Sequence, residues 1–194
     1  KKLLKQLNYR KMFKVGIIGA GWIAEKMAQA LAPLKDYCVY AIASRSLEKA
    51  EEFAGKWNIP KAYGSYEDMV KDKDIDLVYI ATPHSHHYPH TMLAIEHGKH
   101  VLVEKAFTAN AREAEILLKT AKEKGVFITE AIWTRYMPLS HKVREIMESG
   151  IIGEPRILTA TLCYMMEFKE RIVRPELCGG ALLDLGVYSL NFAR

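Results

Sequence analysis

The chain has 194 residues, of which 49% are hydrophobic and 26% charged, and carries a formal net charge of +5. That composition describes a globular protein with a substantial core, long enough for one domain and part of another. No apolar run approaches the ~20 residues that a bilayer-spanning helix needs, and the basic residues, interleaved with acids over 46–56 and 111–124, read as solvated helix faces rather than a nucleic-acid surface.

Residues 1–11 are basic and lack the continuous apolar stretch of a secretory signal. They read as a leader or upstream extension, with Met12 a natural start; Leu3, Leu4 and Leu7 would alternatively mark a short amphipathic helix. A strand is expected over Val15–Ile18, a helix over Trp22–Leu31 and a second strand over Cys38–Ala43. Ser46 is placed to cap a helix Leu47–Trp57, and Ser65 a short helix through Val70 after a brief strand Lys61–Tyr63. Next come a strand Asp76–Ala81, a helix Pro89–Glu96 ended by Gly98, and a strand His100–Val103. Asn110 caps a long helix to Lys124, which Gly125 stops; Val126–Thr129 is a strand and Leu139–Ser149 a helix.

This alternation predicts an α/β fold, a doubly wound parallel sheet over residues 12–137. After Gly150 the pattern changes. Pro155–Met166 is long and β-prone, and a helix starts at Ala181. Residues 138–194 are therefore expected to begin an α+β domain with an antiparallel sheet. One strand and one helix cannot bury a core, so that domain is expected to be incomplete in this chain. Cys38, Cys163 and Cys178 are few, odd in number and widely spaced, which fits reduced thiols in the cytoplasm.

The strongest local signal is Gly19-Ala20-Gly21-Trp22-Ile23-Ala24, directly after the first strand and opening a helix. Gly19 permits a tight turn, Gly21 has no side chain to hold phosphates away, and Ala24 lets the helix pack closely. The first-turn N–H groups, at Trp22 and Ile23, then face an anion at the positive end of the helix dipole. The motif predicts a bound dinucleotide. After the second strand, where a carboxylate would take the ribose hydroxyl of NAD, stand Ser44 and Arg45, with Lys49 one turn on. A hydroxyl and a planar guanidinium suit a 2′-phosphate, which favours NADP over NAD.

Thr82, Pro83 and His84 follow the fourth strand at the sheet edge where such folds bind ligands. Four histidines, His84, His86, His87 and His90, fall within seven residues, but no Cys, Asp or Glu lies near in sequence to complete a metal site, and none is expected. His84 and His87 are expected to line the cofactor cleft, and His86 and His90 to lie on the surface. Glu104-Lys105 ends the fifth strand at the same edge. Asp184 and Tyr188 are four apart, on one face of a helix. A lysine beside a tyrosine favours the phenolate and lowers its pKa, and such a pair can exchange a proton with an alcohol while hydride moves to a nicotinamide.

The glycine block, Ala81-Thr82-Pro83-His84-Ser85-His86-His87, Val101-Leu102-Val103-Glu104-Lys105 and Gly179–Tyr188 together resemble the Gfo/Idh/MocA family of NAD(P)-dependent oxidoreductases. Glu130-Ala131-Ile132-Trp133-Thr134-Arg135-Tyr136 and Tyr188 are similar to its branch of dihydrodiol and NADP-dependent D-xylose dehydrogenases. The resemblance implies that Lys105 and Tyr188 handle the proton, that Asp184 orients substrate, and that Trp133 and Arg135 lie near the nicotinamide. It implies a sugar, polyol or cyclic diol as substrate and a homo-oligomer formed through the second domain. The family also includes silent regulators, such as a galactose-regulon repressor of yeasts, the alternative reading. Ala106 stands where the family usually has proline, and many members carry histidine where Tyr188 stands.

Overall fold

The structure is a computed structural model that describes residues 12–166 and 169–194; the expected leader and its alternative helix lie outside the described residues. Six strands form one wholly parallel sheet: β1 (Phe13–Ile18), β2 (Tyr37–Ala43), β3 (Lys61–Tyr63), β4 (Leu77–Ile80), β5 (His100–Val103) and β6 (Ile128–Glu130). Their order, β3-β2-β1-β4-β5-β6, reverses between β1 and β4, which opens a crevice at the carboxyl edge. The strands are apolar almost throughout because both faces are covered. On one face Ile18, Val78, Ile80, Val101 and Val103 pack in a common core with Leu117 and Ala121; on the other, Ile17, Ile42 and Tyr79 meet Ala24, Ala28 and Phe53. The alternation follows the two-residue period of a strand.

The covering helices are α1 (Trp22–Leu31), α2 (Leu47–Trp57), α3 (Tyr66–Val70), α4 (His87–Glu96) and α5 (Ala111–Lys124). Three caps form where expected: Ser46 Oγ accepts the Lys49 N–H at 3.4 Å, Ser65 Oγ that of Asp68 at 3.2 Å, and Asn110 Oδ1 that of Glu113 at 3.0 Å. Gly125, at φ +67°, ends α5.

Several expectations need correction. A single 3₁₀ turn, His84–His86, runs straight into α4, which starts at His87 rather than Pro89, since proline is tolerated in a first turn. The sixth strand is displaced toward Glu130. Beyond it lie a turn at Trp133–Tyr136 and α6 (Pro138–Glu148). Pro155–Met166 forms no strand among the described residues: it has no regular secondary structure, is largely exposed and is unpaired in any ladder. β-propensity describes fit to a neighbouring strand, and none of the described strands lies beside this segment. The chain then forms α7 (Glu170–Val173), a turn at Pro175–Leu177, a wide i→i+5 turn at Leu182–Gly186 and α8 (Val187–Ala193). No helix among the described residues is long and apolar enough to cross a membrane.

Candidate active site

Predicted residues stand on the loops after β1, β2, β4, β5 and β6 at the carboxyl edge of the sheet, and the later chain brings Asp184 and Tyr188 to Lys105 there. At the first, Gly19 has φ +100°, and a Cβ there would come within 2.8 Å of the Ala81 carbonyl oxygen, so the β1–α1 turn and the end of β4 approach closely only with glycine. Gly21 differs. Its backbone is extended, it caps α1 without any side-chain bond, and a Cβ there would meet nothing within 4 Å. Open space in front of an uncapped helix start is a cradle that fits a pyrophosphate. Ile23 is half-buried and Trp22 is 70% exposed.

After β2, Ser44 is half-buried while Arg45 and Lys49 are exposed. Arg45 acts electrostatically on Tyr66 and His90, whose rings meet edge to face at 4.6 Å. His90 is thus packed rather than on the surface, and burial, the neighbouring His86 and Arg45 hold its pKa down at about 4. After β4, Thr82 Oγ1 bonds His90 Nδ1 at 3.1 Å. Buried His84 reaches Cys178 O at 3.2 Å through Nδ1, tying the nucleotide-side loop to the later chain. His87 is completely buried, with Nδ1 2.7 Å from Ala106 O and Nε2 2.8 Å from Thr82 O. It braces the cleft from beneath instead of lining it, joining the Pro83 loop to the Lys105 loop. Thr82 thus serves both His87 and His90 while His84 pairs with the later chain, and among the described residues no group of three or more His, Cys, Asp or Glu is placed to hold a metal.

At the end of β5, Glu104 accepts the Tyr79 hydroxyl and, at 3.2 Å, the Lys105 N–H. Burial raises its pKa and that of Glu130, which accepts the Phe107 N–H at 2.8 Å. Glu104 is therefore committed largely to holding the Lys105 loop. Lys105 Nζ donates to Asp184 O at 2.8 Å and to Asp184 Oδ1 at 2.9 Å. It lies 5.3 Å from the Tyr188 ring centroid. Asp184 is 3% exposed; burial opposes its charge, but Lys105 and Arg171 outweigh burial and lower its pKa. The wide turn at Leu182–Gly186 followed by α8 keeps Asp184 and Tyr188 on the same side of the cleft.

Tyr188 departs from expectation. Its pKa is raised, not lowered: burial dominates, Trp133 pulls it down through a hydrogen bond, and Glu104, Asp184 and Tyr164 push it up. The lysine sits over the ring with its donors directed to Asp184, so the hydroxyl oxygen is held instead by Trp133 Nε1–H at 3.2 Å. Trp133 also borders two hollows, one of about 650 Å³ beside Trp22, Tyr79 and Glu104, the other of about 630 Å³ reaching Arg135, Tyr164 and Tyr188. Sequence reasoning missed Arg171, whose Nη1 lies 2.7 Å from Asp184 Oδ1. No local pattern marks it.

Comparison with known proteins assigns both segments of the chain to one family. Residues 13–131 match the oxidoreductase-family NAD-binding Rossmann fold, and residues 140–194 match the GFO/IDH/MocA C-terminal domain. The chain is 42% identical over 179 residues to trans-1,2-dihydrobenzene-1,2-diol dehydrogenase of Mus musculus, covering 91% of this chain and 54% of that protein. It is 43% identical over 201 residues to the NADP(+) D-xylose 1-dehydrogenase of Hypocrea jecorina, covering 92% and 51%. The chain thus spans about half the length of the curated relatives it matches. Among solved structures, a 3-ketoreductase of Actinomadura kijaniata in complex with NADP and TDP-benzene superimposes with a TM-score of 0.80 at 29% identity, covering 94% of this chain and 57% of that one. An NAD binding oxidoreductase of Klebsiella pneumoniae gives 0.76 at 30% identity, with 94% and 52% covered. With the nucleotide fold and the later segment matched in order, the chain belongs to the Gfo/Idh/MocA family of oxidoreductases.

Proposed function

We propose that the protein transfers hydride between NADP(H) and a hydroxyl or carbonyl carbon of a small sugar, polyol or cyclic diol. The observation that carries this reading is the meeting of Lys105, Asp184 and Tyr188 at the sheet edge that holds the Gly19–Gly21 turn. Silent binding would not require a lysine, a buried carboxylate and a phenol in mutual reach, which favours an enzyme over a regulator.

In this reading the cradle at Gly21, with the N–H groups of Trp22 and Ile23, takes the pyrophosphate. Ser44, Arg45 and Lys49 take a 2′-phosphate, and Thr82, Pro83 and His84 line the path to the reacting end, with Arg135 and Trp133 beyond. The nicotinamide, when bound, supplies the site that accepts or gives the hydride. For alcohol oxidation, the substrate O–H gives its proton to Tyr188 Oη as the carbon–hydrogen bond yields its hydride and the carbon–oxygen bond becomes a carbonyl. Reduction runs the reverse, with Tyr188 donating. Lys105 holds a positive charge beside the phenol, and Asp184 fixes the lysine in place.

The domain boundary is placed after Met137, where the β6 loop ends. The three cysteines are unpaired, which supports a reducing compartment such as the cytoplasm. A homo-oligomer formed through the second domain belongs to the same reading. A screen of the intact protein with NADP+ and NAD+ against D-xylose, other sugars and dihydrodiols tests the reading. Turnover that Tyr188→Phe abolishes while NADP+ still binds would uphold it; tight binding without turnover on any substrate would favour the regulator.

A further inference from the structure

The ion pair of Lys105 and Asp184 has a third member. Arg171 Nη1 approaches the same Asp184 Oδ1 that Lys105 occupies, at 2.7 Å against 2.9 Å. The Arg171 side chain is 43% exposed, whereas those of Lys105 and Asp184 are 14% and 3% exposed. Its place is set by backbone. Ile172 O accepts the Gly180 N–H at 2.7 Å, Arg174 O accepts that of Gly179 at 3.1 Å, and a Cβ on Gly179 would come within 2.3 Å of Ile172 O. His84 anchors the same stretch through Cys178 O. The segment therefore presents Arg171 to Asp184 from a fixed, glycine-dependent loop rather than through a chance surface pairing.

One carboxylate between two cations leaves a net positive charge. A guanidinium stays charged across the accessible pH range, so it keeps Asp184 ionised and takes up part of its field. Without it, Lys105 and Asp184 would form a neutral pair that presents little net charge to Tyr188, whose ring centroid lies 5.3 Å from the ammonium. We propose that Arg171 is a positioning residue: by sharing Asp184 with Lys105 it leaves the lysine's charge free to stabilise the Tyr188 phenolate. The proposal rests on the reading in which Tyr188 exchanges the substrate proton.

Other charged or titratable groups face this site. Glu104, Asp184 and Tyr164 act on Tyr188, with Trp133 on its hydroxyl; Glu104, Glu130, Asp184 and His84 surround Lys105; and Arg171 and Lys105 face Asp184. Removing Arg171 leaves these groups in place and subtracts one positive charge. That disfavours the phenolate, so Tyr188 must titrate at higher pH. Alcohol oxidation needs Tyr188 to accept a proton, so its rate rises as the phenolate forms, and the rising limb must move the same way.

The test uses the intact protein with Arg171→Met and Arg171→Lys. Two quantities are read: kcat for NADP+-dependent oxidation of D-xylose against pH, and the pH titration of the Tyr188 ¹³Cζ resonance, assigned by its loss in Tyr188→Phe. In Arg171→Met both should move to higher pH by about half a unit or more, with kcat on the rising limb down about threefold, while NADP+ affinity is unchanged. Arg171→Lys should restore both. A Tyr188 titration that stays put in Arg171→Met, or that Arg171→Lys fails to restore, overturns the proposal. A titration that moves in a protein without turnover on any substrate would uphold the charge coupling and remove the reaction assigned above.

Discussion

Trp133 donates its indole N–H to the hydroxyl oxygen of Tyr188 at 3.2 Å, with the two rings edge to face at 6.3 Å. The donor favours the phenolate, against burial and the carboxylates of Glu104 and Asp184, which together keep the phenol's pKa raised. Trp133→Phe keeps an aromatic ring but removes the donor. The expected result is a Tyr188 pKa raised further, a rising limb of alcohol oxidation moved to higher pH, and a loss of about threefold to tenfold in kcat on that limb. A pH–kcat profile superimposable on that of the unmodified protein would show that the bond has no part in the proton step.

The alternating α/β order is legible because β1, β4 and β5 are short apolar runs buried on both faces and because Ser46, Ser65 and Asn110 announce their helices. Lys105, Asp184 and Tyr188 are legible as a set because each stands at a strand end or at a fixed spacing. What escapes is whatever depends on distant partners. Arg171 gains meaning only when a loop closed on Gly179 and Gly180 carries it to Asp184. His87 reads as a cleft residue until the Thr82 and Ala106 carbonyls are seen on its two nitrogens. Pro155–Met166 has the residues of a strand, but strand formation is a property of pairs.

Cofactor choice should rest on Arg45. The side chain is exposed just after β2, next to half-buried Ser44 and within electrostatic reach of Tyr66 and His90. A guanidinium on a 2′-phosphate is a charge-assisted bond worth roughly 1.5–3 kcal/mol, so Arg45→Ala should weaken NADP+ binding by about tenfold to a hundredfold. NAD+, which lacks that phosphate, should bind with little change. Calorimetric titration of both cofactors checks the pair of outcomes, and an equal loss for both would move the phosphate contact elsewhere.

His90 predicts an acid weakness separate from catalysis. Burial, His86 and Arg45 depress its folded-state pKa to about 4, below the ordinary value of 6.5. The unfolded chain therefore binds a proton more readily between these values, and stability must fall as pH drops from about 6.5 toward about 4. His90→Gln, which retains a polar group near Thr82 but cannot titrate, should flatten this part of the curve by about 1–2 kcal/mol. Urea unfolding midpoints at several pH values measure it; an unchanged slope in the variant would assign the acid sensitivity to His84 or His87, whose pKa values burial also lowers.

The two motif glycines should separate folding from binding. At Gly19, φ is +100° and a Cβ would meet the Ala81 carbonyl oxygen at 2.8 Å, so Gly19→Ala forces both a strained backbone and a close contact. A cost of about 1–3 kcal/mol is expected, seen as a lower Tm even without cofactor. At Gly21 the backbone is extended, a conformation any residue adopts, and a Cβ would meet nothing within 4 Å. Gly21→Val should therefore leave the cofactor-free Tm within the shift expected for about 0.5 kcal/mol. It should nonetheless weaken NADP+ binding about tenfold or more, because the new side chain fills the space before the first turn of α1. Normal NADP+ affinity in Gly21→Val would mean that the pyrophosphate does not lie on this turn, whereas a lowered Tm in that variant would mean that Gly21 serves the fold rather than the cofactor.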